Sequence, residues 1–140
     1  AVAQSCNVAL MQMADQIGIK NFLDYQKIYN IGLRTNIDLA GEARTASLVF
    51  NEKTMHEVEL ATASFGQGFN VTMIEMAAAY ASVINGGKYY EPHVVSKIVN
   101  SQGATVKNIE PRFVKQTISQ STSDMMRQYV LQCWIYFLVR

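Results

Sequence analysis

Residues 65–87 read FGQGFNVTMIEMAAAYASVINGG, and this stretch decides how the chain around it is read. Thr72 and Glu75 form a T-x-x-E capping box, in which each side chain takes an amide that the helix start leaves free. Val71 and Met76 are spaced for a hydrophobic staple across the same turn. From Met73 to Ile84 every residue except Glu75 and Ser82 is apolar or small. A helix that is apolar nearly all round must be enclosed on most sides. The spacing therefore predicts a central helix over 73–84 with neighbours packed about it. Asn85-Gly86-Gly87 ends it, because glycine enters the left-handed conformation without a Cβ penalty.

Upstream, the periodicity predicts a helix over 7–17, with Leu10, Met13, Ala14 and Ile17 on one buried face. Gly18 stops it. A second helix is expected over 20–30, with Phe22, Tyr25, Gln26 and Tyr29 on one side and Gly32 just beyond. Residues 32–44, GLRTNIDLAGEAR, are rich in turn formers and read as irregular. A short helix is expected around 53–63. Downstream, Val94, Val95, Ile98 and Val99 precede a Ser101-Gln102-Gly103 turn, with Val106 and Ile109 after it, the pattern of a β-hairpin. Ser121-Thr122-Ser123-Asp124 opens a last helix that places Met126, Tyr129, Val130, Cys133 and Phe137 on one face.

With 140 residues, about half of them apolar and 16% charged, the chain has the size and composition of one folded domain. A formal charge of +1 gives no electrostatic case for nucleic acid, and no segment clusters Lys and Arg for an anionic membrane. Cys6 and Cys133 could pair in an oxidising compartment, but two cysteines make no framework and they read as two buried free thiols. The longest apolar run, residues 134–139, is too short to cross a bilayer. It is an unusual way to finish a domain, and with the missing initiator Met it suggests a piece cut from a longer chain.

Several short motifs carry no chemistry. His56-Glu57 would begin a zinc-protease signature, but Leu60 stands where the second histidine is needed. Gly66-Gln67-Gly68 lacks the third glycine of a dinucleotide fingerprint, since Val71 occupies that place. Asn70-Val71-Thr72 is a glycosylation sequon whose Thr72 is better explained as a cap. His93 has no ligand residue near it. Nothing calls for a metal or a cofactor.

Ser5-Cys6-Asn7 at the head of the first helix is different. Taken alone, either Ser5 or Asn7 is a good N-cap, and that is the reading the residues favour. The triplet is followed by TNIDLAGEA (35–43), then SFGQGFNVT and its helix, then PHVV (92–95), then a run from Lys107 to Met126. That order and spacing resembles the C-terminal half of the transpeptidase domain of class B penicillin-binding proteins, closest to those of Gram-positive anaerobes, sporulation-type members included. In these the pieces run S-x-N-x-A, T-G-I-D-L-P-G-E-A, S-F-G-Q-G-x-x-V-T-P, A-N-G-G and P-H-x-V. The likeness covers residues 1–133, a fragment of such a domain, and leaves 134–140 as an apolar tail that does not match. Met73 and Ala40 stand where the family has proline, away from the chemistry.

The resemblance implies an α+β fold, mainly α: the helical portion of the serine β-lactamase-like fold, with a small hairpin and most of the central sheet missing. It implies a peptidoglycan D,D-transpeptidase that crosslinks stem peptides through an acyl-serine intermediate, binds β-lactams, and works outside the cytoplasmic membrane on an anchor not contained in these residues. Catalysis in this family needs S-x-x-K, S-x-N and K-T-G together. Here no serine has lysine three residues on, and Lys53-Thr54-Met55 has methionine for glycine and comes too early. The resemblance therefore assigns Ser5 to the proton relay and Asn7 to orienting the substrate amide, in a chain expected to be inactive alone. The alternative is a non-catalytic helical interaction or sensor module derived from the same fold. The apolar helix at 73–84, stripped of its usual neighbours, leads one to expect self-association.

Overall fold

The computed structural model describes residues 2–138, and the side chains of residues 2–133. A 3-10 turn, Val2–Gln4, leads into α1 (Asn7–Ile28), followed by α2 (Glu57–Ala63), α3 (Met73–Ile84), β1 (Lys88–Tyr90), β2 (Lys97–Val99), β3 (Thr105–Asn108), β4 (Phe113–Gln116) and α4 (Gln120–Leu138). The expected helices over 7–17 and 20–30 are present as the two halves of α1, which meet at a break at Gly18. Gly18 alone leaves helical geometry, at φ 77° and ψ 159°. A Cβ at Gly18 would touch nothing, so backbone angle alone calls for glycine there.

Two antiparallel strand pairs are present. β1 pairs with β4, matching Tyr89 to Lys115 and Tyr90 to Phe113 across a bulge. Between them in sequence, β2 and β3 form the expected hairpin, matching Ile98 to Lys107. The Asn100 carboxamide oxygen closes its turn by accepting the amides of Gln102 and Ala104. Mainly helical, with two small sheets, the architecture agrees with the α+β expectation.

The core sits between α1 and α2. Ala14, Leu23, Met55, Leu60 and Ala63 are buried together, with Ile19, Phe22, Phe50 and Phe69 packed against them. The remaining expectations about buried faces need correction. On α1, Met13 and Ile17 are about half exposed. On α4, so are Met126, Tyr129 and Val130 in some measure, and Phe137 lies outside the described side chains. The larger departure is α3. Its buried residues are Glu75, Ala79 and Ser82, one stripe at i, i+4 and i+7, facing β1 and α4. The opposite stripe, Met73, Met76, Tyr80 and Ile84, is 92%, 44%, 48% and 39% exposed. Apolar composition required a covered helix, but that side is left largely open, with α1 beside it only at Met76.

Candidate active site

Ser5 and Asn7 lie at the junction of the 3-10 turn and α1, with the turn packed on α4. Ser5 donates its amide to the Val2 carbonyl at 3.0 Å, closing the turn. It does so with φ at 48°, a left-handed conformation that costs a non-glycine residue about 1 kcal/mol or more. Asn7 is the first helical residue of α1, and the cap position falls to Cys6, which offers no side-chain hydrogen bond. Both Ser5 and Asn7 are exposed. Among the described residues neither side chain has a hydrogen-bond partner. The capping role that residue type alone suggests is therefore not what they do. The structure brings the pair together at one turn and leaves a hydroxyl and a carboxamide facing outward. A hydroxyl both donates and accepts, and a carboxamide offers one group of each kind.

The other motif segments are joined to one another by carboxylates, one buried and two at or near the surface. Glu75 is 2% exposed. One of its oxygens closes the capping box by accepting the Thr72 amide at 2.7 Å, while the Thr72 hydroxyl accepts the Glu75 amide at 3.1 Å. Its other oxygen accepts the Gly32 amide at 3.0 Å and the Thr45 hydroxyl at 2.6 Å. The same residue that starts α3 thus ties down both ends of the 32–45 loop.

Inside that loop, Glu42 accepts the Thr35 amide and hydroxyl, each at 2.6 Å, and the Asn36 amide at 3.2 Å. Partial burial works to raise the Glu42 pKa, but these bonds outweigh it and hold the carboxyl below its ordinary range. Asn36 takes φ 59°, which asparagine tolerates better than most residues. Asp38 reaches out of the loop and accepts the amides of Val94 and Val95 at 2.8 and 3.0 Å. Those two backbone bonds lower its pKa as well. The TNIDLAGEA and PHVV motifs are therefore clamped together through one carboxylate.

SFGQG is a turn, with Ser64 capping α2 and donating to the Ala61 carbonyl at 2.6 Å. A Cβ on Gly68 would press on the Phe50 ring. Asn85-Gly86-Gly87 does more than end a helix. Ser123, fully buried at the start of α4, accepts the Gly86 amide at 2.9 Å and donates to the Val83 carbonyl at 2.6 Å. Gly87 accepts the Thr117 amide at 2.7 Å, and a Cβ there would collide with the Ile118 carbonyl. α4 is thereby fixed to the end of α3, and it is α4 that backs the turn carrying Ser5. No helix among the described residues is long and apolar enough to cross a membrane.

The profile of the penicillin binding protein transpeptidase domain matches residues 1–133. The chain belongs to the penicillin-binding protein transpeptidase family. The class B resemblance read from its motifs is the one its relatives bear out. Stage V sporulation protein D of Bacillus subtilis is 35% identical over 132 residues, which cover 94% of this chain and 20% of that protein. A peptidoglycan synthetase from Bifidobacterium adolescentis superposes with a TM-score of 0.84 at 18% identity, over 98% of this chain and 25% of the other. Penicillin-binding protein 3 of Mycobacterium tuberculosis, solved in complex with aztreonam, gives a TM-score of 0.75 at 24% identity, over 87% of this chain and 27% of the other. At these identities the two structures establish the shared fold. This penicillin-binding protein chain spans about a fifth of the length of the curated relatives it matches.

Proposed function

We propose that these residues form part of a peptidoglycan D,D-transpeptidase of the sporulation type, and that Ser5 and Asn7 are its auxiliary catalytic pair. The observation that carries this reading is the state of Ser5: strained at φ 48°, exposed, and without a side-chain partner among the described residues. Strain at an outward-facing polar residue is a cost that folding alone does not explain. The Ser5 hydroxyl relays the proton that passes between the attacking serine and the leaving amine. The Asn7 carboxamide orients the amide of the stem peptide. The attacking serine and its lysine, and the K-T-G strand, come from S-x-x-K and K-T-G segments that residues 1–140 do not carry, so this portion alone forms no acyl-enzyme.

Stem peptides and β-lactams are the ligands of the whole protein, which acts at the outer face of the cytoplasmic membrane from an anchor outside these residues. The family membership, the 35% identity to a sporulation protein and the aztreonam complex of a structural neighbour support this reading. A fluorescent penicillin tests it. The full-length protein is expected to be labelled covalently and residues 1–140 alone to stay unlabelled. A full-length protein that resists labelling would favour the non-catalytic module.

A further inference from the structure

We infer that Ser123, at the start of α4, is a positioning residue for the Ser5 hydroxyl and acts on it through α4. The inference rests on the proposed catalytic role of Ser5 and Asn7, and names what holds the serine in place. Three observations carry it. The first is the backing of the turn. Asn7 is the first residue of α1, so that helix sets its place. Ser5 lies outside the helix at φ 48°. A non-glycine residue keeps such a conformation only where its surroundings hold it there. The element packed on the adjoining Val2–Gln4 turn is α4.

The second is how α4 is held. Ser123 is fully buried. Its hydroxyl accepts the Gly86 amide at 2.9 Å and donates to the Val83 carbonyl at 2.6 Å. Val83 lies in the last turn of α3, where carbonyls have no partner within the helix. One hydroxyl thus answers both a donor and an acceptor at the end of α3, and alanine would answer neither.

The third is that this hydroxyl is not spent on α4 itself. Ser119 accepts the Thr122 amide at 3.1 Å and caps the start of the helix. Gln120 donates to Asp124 at 3.0 Å, inside α4. Among the described residues from 120 to 127, Ser123 is the one whose side chain hydrogen-bonds to another element. It therefore sets α4 against α3 rather than building α4. Because α4 runs unbroken from Gln120 to Leu138, a shift at its start carries along to the face that backs Ser5.

Acylation of the full-length protein by a fluorescent penicillin tests the inference, measured well below the melting temperature of every variant. Ser123→Ala is expected to slow acylation about tenfold or more, since small misplacements of a reacting group carry penalties of that size. Thr45→Val removes a different buried hydroxyl, which donates to Glu75 at 2.6 Å far from α4, and is the control for general loosening. It should lower the melting temperature while acylation stays within about threefold of the wild type. In a Ser5→Ala background, Ser123→Ala should cost no more than about a further threefold, because groups that act as a unit are not additive. Should Ser123→Ala fail to fold, Ser123→Cys, a weaker donor of similar size, carries the same expectations in direction. Wild-type acylation in Ser123→Ala while Ser5→Ala is slow would overturn this inference and leave the catalytic reading standing. An equal fall in Thr45→Val, or a full additional loss in the Ser5→Ala background, would overturn it as well. Wild-type acylation in Ser5→Ala would overturn the catalytic reading and the inference with it.

Discussion

The 32–45 loop and the Ser5–Asn7 turn are both motif segments of the same family, and they treat their polar groups in opposite ways. In and against the loop, every carboxylate is engaged, Asp38 and Glu42 within it and Glu75 from α3. Glu75 takes the amides of Gly32 and Thr72 and the Thr45 hydroxyl, Glu42 takes Thr35 and Asn36, and Asp38 takes Val94 and Val95. At the turn, a strained serine and an asparagine present side chains with no partner among the described residues. A recurring polar residue can therefore be there to build or to act, and partner satisfaction separates the two. Groups satisfied inside the fold hold it in shape, since leaving a buried one unpaired costs about 1–3 kcal/mol. Groups left open are available to a substrate.

Breaking the loop should have the largest effect. Glu75→Ala leaves two amides and a hydroxyl unpaired around a buried site, and we expect a loss of about 3–5 kcal/mol in urea unfolding. Against a total stability of about 5–15 kcal/mol this brings the chain near the folding threshold. Glu75→Gln, which replaces one acceptor oxygen with a donor, is expected to fall between that variant and the wild type. A loss below about 1 kcal/mol for Glu75→Ala would dissolve the contrast.

Acid should sharpen it. The folded pKa values of Asp38 and Glu42 lie below their ordinary values of 3.8 and 4.5. The unfolded chain therefore binds more protons in that range, and the stability the two groups contribute is present above it. It is lost as pH falls from about 4.5 through the folded values. The melting temperature should drop over that interval, and less steeply in Asp38→Asn. Equal slopes for the two proteins would remove Asp38 from the account.

The smallest effect is expected at the turn. Ser5→Gly relieves a left-handed serine and should leave stability unchanged or raise it by up to about 1 kcal/mol. Asn7→Ala, at an exposed position without a side-chain partner among the described residues, should stay within about 0.5 kcal/mol of the wild type. A clear loss in either variant would mean that the turn builds after all.

Local chemistry was legible in the sequence, and long-range partnership was not. The Thr72–Glu75 capping box, the breaking glycine at 18 and the hairpin are each written within a few adjacent residues, where backbone rules apply directly. The second oxygen of Glu75 was not legible, because Gly32 and Thr45 lie 43 and 30 residues away. The Asp38 clamp was hidden for the same reason, though TNIDLAGEA and PHVV both stood among the quoted motifs. α3 misled in the other direction. Its composition called for a buried helix, but composition cannot say which side its neighbours occupy, and they lie along Glu75, Ala79 and Ser82. Ser5 and Asn7 were legible only as a pair of plausible caps. The order of motifs behind them, rather than the triplet, pointed to a site.

The most direct test of that proposed site measures, in the full-length protein, the second-order rate of acylation by a fluorescent penicillin in Ser5→Ala and Asn7→Ala beside the melting temperature of each. The account predicts that acylation falls about 100-fold or more while the melting temperature holds, as for groups that serve proton transfer and substrate orientation. Acylation at the wild-type rate in both variants would contradict it.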